Sequence, residues 1–366
     1  MHILLPYNEI LPKKKAHDVY IFQECSCLSS LGSQVTLLCG KGSQSDASLA
    51  HFYNTPTLFE IKRLPIVRKN NALGLSWNLP FFFSSQREIE TIKPDYVILS
   101  VLKQAHYNLN RKIPGVKYIY EAHEVAAYPG QSYDKRRVEL EREVFKKADL
   151  VIVTTTQLRE ILLAPPYEVT TPIAVIPLGV NATSLPSPLS GPLTLFYVGQ
   201  LYESQGVSLL LEALSQVPEM QLKVVGGRIS EISALQELCK TLDLGERVEF
   251  LGFKAPHELS LHVAQAHGFV APFLPTGRMP YVAHTKIYEY IEWGRPVIAP
   301  SLDVTREHFP QGKGALFFEP GDVVSLAAVL QQFEEVRERL QEEIESLSGQ
   351  SSWESRGRKI LEAISS

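Results

Sequence analysis

Thr285-Lys-Ile-Tyr-Glu-Tyr-Ile-Glu-Trp-Gly-Arg-Pro-Val-Ile-Ala299 reads as a helix stopped by Gly294 and followed at once by a buried strand over 296–300. Lys286 and Glu289 stand three residues apart, so they share one face at the helix start. Backbone N–H groups at a helix N-terminus attract phosphate, and a lysine there adds charge. A carboxylate one turn in can accept hydrogen bonds from ribose hydroxyls. This is the layout that holds a nucleotide sugar. A solvated ion pair on a surface helix would carry the same local sequence.

Outward from this segment, short apolar runs alternate with longer amphipathic stretches along the whole chain. Strands are expected at 2–5, 34–39, 96–101, 117–120, 150–154 and 173–176, then at 193–198, 221–225, 247–251, 268–271, 296–299 and 315–318. Helix patterns lie between them, among them 19–31, 135–147, 208–214, 233–242 and 323–343. Strands that alternate with helices and lack hairpin turns imply parallel sheets covered on both faces. The expected class is therefore α/β, with two doubly wound Rossmann-like domains facing a central cleft. The boundaries expected are 1–181 for the first domain, 182–192 for an uncharged Pro/Ser-rich linker and 193–351 for the second.

Bulk properties narrow the function classes. At 366 residues the chain is long enough for two domains, and 45% apolar content supplies two cores. A net charge of −4 gives no general reason to expect nucleic acid as the partner. The four cysteines fall in apolar segments without structural-zinc spacing, as in a reducing compartment. No leader pattern stands at the start, because Pro12 and the lysines after it break any apolar run. No apolar stretch approaches the roughly 20 residues that span a bilayer. The expected location is the cytoplasm, with peripheral contact at the inner membrane surface the alternative use of the aromatic stretch 77–83.

The second series opens with Tyr197-Val-Gly-Gln-Leu-Tyr202, a strand running into a glycine turn, and Gly206 then opens a helix. Gly199 lets the backbone approach a ligand closely, and loop amides there can face an anion. With Leu222-Lys-Val-Val-Gly-Gly227, Arg247-Val-Glu-Phe-Leu-Gly-Phe253, Thr285–Ala299 and Ser352-Trp-Glu-Ser-Arg356 in this order, the chain resembles glycosyltransferase family 4. That resemblance implies the GT-B architecture and a retaining, nucleotide-sugar-dependent enzyme whose terminal helix, 352–366, packs back on the first domain.

It also implies roles. Glu289 matches the carboxylate that holds the donor ribose, and Lys286 a lysine facing the phosphates. Val282, Ala283, His284 and Thr285 match the turn that offers N–H groups to the diphosphate and sugar. Gly252 and Phe253 match the loop against the base, although a core aromatic fits Phe253 equally well. Gly199, Gln200 and Gln205 match the first donor loop. Three departures stand out: Gln200 and Gln205 replace an arginine and a lysine, and Tyr281 replaces a glutamate. Lys286, Arg278 and His284 are the neighbouring cations that could compensate.

In the first domain, Tyr118-Ile-Tyr-Glu-Ala-His-Glu-Val125 places His123 just past a strand, where the resemblance implies a histidine near the transferred sugar. Glu121 or Glu124 could hold its imidazole. Lys13, Lys14 and Lys15 form a cationic loop suited to an acceptor or donor phosphate, and a solvated surface loop reads the same way. Asp18 suits the dipole of the helix that follows. No Asp-x-Asp pair occurs, so the expected chemistry needs no metal and no cofactor beyond the nucleotide-sugar co-substrate. A glycan, lipid or small molecule is the expected acceptor. A silent sugar-nucleotide binder or partner subunit, motivated by Gln200, Gln205 and Tyr281, and a sugar-nucleotide epimerase are the rival readings.

Overall fold

The structure is a computed structural model that describes all residues except 14–15, 68–77, 182–184, 186–190 and 255, and not the side chains of 16, 256 and 257. Lys14, Lys15, Trp77 and most of the expected linker therefore lie outside the described residues. The chain divides into two compact units, Met1–Gly179 with Trp353–Ser366, and Val180–Ser352.

The first unit holds a seven-stranded parallel sheet of β1 (His2–Ile10), β2 (Gln34–Gly40), β3 (Glu60–Leu64), β4 (Tyr96–Leu99), β5 (Lys117–Ala122), β6 (Leu150–Val153) and β7 (Ile173–Val175). Their order is β3-β2-β1-β4-β5-β6-β7, so the winding reverses between β1 and β4. β1 runs well past the expected end at residue 5, through Pro6. A proline lacks the N–H that a ladder needs. It is tolerated because β4 pairs only with Ile3 and Leu4, and the β2 register shifts between Pro6 and Ile10.

β3 was not expected. Its five residues include Glu60, Lys62 and Arg63, as suits a charged edge strand. The aromatic run falls in the helix Leu79–Ile92, where Phe81 and Phe82 are buried while Leu79 and Phe83 face outward. Among the described residues, no helix is long and apolar enough to cross a membrane.

The second unit holds a six-stranded parallel sheet of β8 (Thr194–Val198), β9 (Gln221–Val225), β10 (Val248–Gly252), β11 (Gly268–Val270), β12 (Val297–Pro300) and β13 (Ala315–Phe318). The order is β10-β9-β8-β11-β12-β13, with the reversal between β8 and β11. Two apolar clusters flank the sheet. One includes Leu195, Tyr197, Leu211, Val224 and Phe333, and the other Phe196, Val198, Phe269, Tyr290 and Trp293. Strands buried on both faces read as unbroken apolar runs, which is why they are visible in the sequence. In such sheets ligands bind outside the strand C-terminal ends at the reversal. That point is where Gly199 leaves β8.

Candidate functional site

Glycines bring the strand ends of the second unit close together. The Gly199 N–H donates to Val225 O at 2.9 Å, and the Gly226 N–H donates to Gly252 O at 2.8 Å, linking the ends of β8, β9 and β10. A Cβ on Gly226 would overlap the carbonyl oxygen of Gly199. Gly206, at φ 72°, opens the helix Val207–Leu214, and a Cβ there would overlap the carbonyl of Pro272 beyond β11. The left-handed φ alone costs a non-glycine residue about 1–2 kcal/mol, and the backbone overlap adds to it. Gly206→Ala is expected to lower the melting transition of the second unit by roughly 4 °C or more, or to prevent its folding, as read by calorimetry.

The helix Thr285–Glu292 buries Ile287, Tyr288, Tyr290 and Ile291 and ends at Gly294, whose φ of 64° suits glycine. Tyr290 stacks on Phe269 at 4.3 Å, and its hydroxyl meets the Val198 N–H at 2.9 Å. These contacts tie this helix to the end of β8 and place Lys286 beneath the Gly199 turn. A Cβ built on Gly199 would lie 2.9 Å from the Lys286 Nζ.

That ammonium has neutral company. It donates to the Tyr197 hydroxyl at 2.8 Å and to Gln205 Oε1 at 2.7 Å. It lies 4.1 Å from the Tyr197 ring centroid and 5.0 Å from that of Phe273. The Tyr197 hydroxyl in turn donates to the Gln200 carbonyl. No carboxylate pairs with Lys286 within 4.0 Å among the described residues. Lys286 and Glu289 are each only half-buried, yet desolvation is the largest influence on both charged ends. Burial lowers the ammonium from its usual 10.5 to about 7, against an opposing pull from Glu289. Burial raises the Glu289 carboxyl to about 7, with Lys286 pulling it down. The surface ion pair that the sequence alone permitted is absent among the described residues, and the two groups influence each other electrostatically without meeting.

The remaining donor-side residues divide. Val282 is buried, Ala283 half-buried and Thr285 exposed. The N–H groups of residues 283–285 donate no hydrogen bond among the described residues. Phe253 is 60% exposed, so it is not a core aromatic. Gly252 ends β10 at φ 66° with open space around it. Arg278 is exposed.

His284 is not a compensating cation. It is buried, stacks on Phe273 at 3.8 Å, and its Nε2 lies 2.8 Å from Met279 O. Burial lowers it to about 3, so it is neutral at physiological pH. Gln205 was expected to mark a lost cation, and instead it holds one. Tyr197 was not singled out from the sequence. All five residues of β8 are buried, so alternation could not set it apart.

In the first unit, His123 follows β5 and meets Tyr20 edge-on at 4.7 Å and His17 at 5.5 Å. Its Nε2 lies 3.8 Å from Glu121 Oε2, while Glu124 meets Arg137 at 3.5 Å. Lys13 is engaged by Glu9, and its N–H donates to the Tyr53 hydroxyl at 3.4 Å. Asp18 does more than complement a helix dipole: it is fully buried and accepts a hydrogen bond from the Tyr7 hydroxyl.

Comparison with known proteins gives the family and the fold. The family model described as Glycosyltransferase Family 4 matches residues 18–184, and that described as Glycosyl transferases group 1 matches 192–335. No curated protein sequence matched the chain. Among solved structures, sucrose-phosphate synthase from Thermosynechococcus elongatus is 19% identical, with a TM-score of 0.77 over 99% of this chain and 98% of the other. A glycosyltransferase from Rickettsia africae is 15% identical, with a TM-score of 0.77 over 99% of this chain and 97% of the other. Anabaena HepE, solved with UDP and glucose, is 16% identical, with a TM-score of 0.73 over 100% of this chain and 99% of the other. At these identities the structures establish the fold, and the two family models establish the activity class. The chain belongs to the family 4 glycosyltransferases and has the two Rossmann-like domains of the GT-B architecture.

Proposed function

We propose that this glycosyltransferase takes its sugar from a nucleotide diphosphate, with a UDP-sugar the first candidate, and passes it to an acceptor hydroxyl with retention and without a metal. The observation that carries the reading is the Lys286 ammonium. It is desolvated, held among the described residues by neutral acceptors alone, and set one turn from Glu289 at the start of the helix Thr285–Glu292. Such a group costs free energy when unneutralised, and an anion beside it recovers that cost. The diphosphate supplies the anion. Lys286 and the free N–H groups of residues 283–285 take the charge that grows as the C1–phosphate bond breaks. The Glu289 carboxylate accepts from the ribose hydroxyls, and the exposed Phe253 offers a face to the base. The acceptor oxygen bonds to C1 on the same face, and its proton passes to the departing phosphate oxygen. No carboxylate base is then required. HepE was solved with UDP and glucose, which puts UDP-glucose in the first test panel.

A thermal-shift screen of UDP-, GDP- and ADP-sugars checks the proposal, since a ligand bound to the folded state raises its melting temperature. No shift across the panel sinks it. The same assay carries a pH prediction. The diester diphosphate of a nucleotide sugar does not titrate near neutrality, so the protein sets the profile. Affinity is expected to peak near pH 7. Below it Glu289 gains a proton and loses acceptor capacity; above it Lys286 loses its charge. Lys286→Met removes the high-pH decline and Glu289→Gln the low-pH decline. Identical profiles in both variants would contradict the assignment.

A further inference from the structure

The terminal helix, Trp353–Ser365, carries Arg356, which is 2% exposed. Its guanidinium donates to the carbonyls of Ile176 at 2.8 Å and Pro177 at 2.6 Å, and contacts Glu24 Oε2 at 3.3 Å through both Nε and Nη2. It also meets Glu121 Oε1 and the Tyr20 hydroxyl directly. Tyr20 in turn lies in hydrogen-bond contact with Glu24, at 2.8 Å, and with Glu121 Oε1. One oxygen of Glu121 is thus fully occupied. The other, Oε2, is buried and has no hydrogen-bond partner among the described residues, and the same holds for His123 Nε2, 3.8 Å away. His123 keeps 27% of its side chain exposed, so only its Nε2 edge is enclosed.

Two unsatisfied buried polar atoms facing each other are an incomplete hydrogen bond rather than two independent defects. A carboxylate has no proton to offer, so the proton between them must sit on Nε2. The imidazole then presents a lone pair at Nδ1 on its open edge. We infer that Glu121 is a positioning residue for His123. Arg356 and Tyr20 clamp one of its oxygens, and the other holds the Nε2–H tautomer so that Nδ1 accepts a hydrogen bond from a substrate hydroxyl. The role in turnover rests on the sugar-transfer reading, whereas the tautomer does not. Burial acts to raise the Glu121 carboxyl, but Arg356 and then His123 outweigh it and hold it at about 2. Burial and Glu121 raise Glu24 to about 7, against Arg356. Below about pH 7 the cluster therefore carries one carboxylate charge, and it lies on the residue that faces His123.

Glu121→Gln tests this without removing the clamp. Its amide oxygen can still accept from Arg356 and Tyr20, which turns the NH2 toward His123 and forces Nε2 to accept. The expected result is inversion of the His123 tautomer to Nδ1–H, read from its 15N imidazole shifts, in a protein that still shows the wild-type nucleotide-sugar thermal shift. Turnover should fall on the order of 100-fold with donor KM unchanged. It should fall no further when Glu121→Gln is added to His123→Ala. Arg356→Lys should keep the wild-type tautomer. An unchanged tautomer in Glu121→Gln, or losses that multiply in the double variant, would overturn the inference. Should the wild-type chain transfer no sugar, the functional reading fails and the tautomer measurement still decides this one.

Discussion

Lys286→Met is expected to lower kcat/KM roughly 100- to 1000-fold, the loss seen when one preorganised donor to a developing oxyanion is removed. The folded protein should be unharmed or slightly steadier. In the folded state the ammonium sits at about 7, below its usual 10.5, so holding it charged opposes folding below that range. The penalty is fully present below about pH 7 and fades as pH rises toward 10.5, where the unfolded chain also loses its proton. Methionine removes the penalty at neutral pH. Lys286→Arg should not rescue turnover, because a planar fork does not fit the Tyr197 hydroxyl and Gln205 amide that seat a compact ammonium. Steady-state kinetics and a melting curve on the same preparations check both halves. Near-wild-type turnover in Lys286→Met would remove the lysine from the donor site.

The second large effect lies in the first unit. Arg356→Met is expected to cost about 3–5 kcal/mol, because it strands a buried carboxylate and removes the donor to two backbone carbonyls. The loss should appear in the unfolding transition of the first unit and leave that of the second in place, as judged by chemical denaturation with a probe in each. The pH dependence has a definite sign. Glu121, depressed to about 2, contributes stability that is present above its ordinary 4.5 and is lost as pH falls from there through 2. Glu24, raised to about 7, contributes stability that is full below 4.5 and is lost as pH rises through 7. Glu24→Gln should therefore flatten the alkaline side of the stability profile. A midpoint unmoved by Arg356→Met would show that the ion cluster does not hold the helix.

Much of the architecture was legible because α/β units announce themselves through apolar runs and glycine stops. The segment 285–300 gave its helix, its stop at Gly294 and its strand to within one residue, since Val297 rather than Pro296 begins β12. β3 was missed because three of its five residues are charged, which is normal at a sheet edge and invisible to an apolar pattern. The sequence leaves Phe253 open between core aromatic and base neighbour, and its exposure excludes only the core.

The sequence by itself determined the two-domain α/β plan, the family, and the placement of Lys286 and Glu289 one turn apart at one helix start. Those follow from periodicity, glycine placement and motif order, which are local or ordinal properties of the chain. Only the tertiary structure decided what each charge faces. Lys286 meets Gln205 across 81 residues, and Arg356 meets Glu121 across 235. Burial sets whether a charge is a cation, a neutral ring or half of a pair, and it arises from the packing of segments distant in the chain. So His284, a cation candidate in the sequence, is a neutral ring stacked on Phe273, and Gln205, which looked like a loss, is the seat of the remaining lysine.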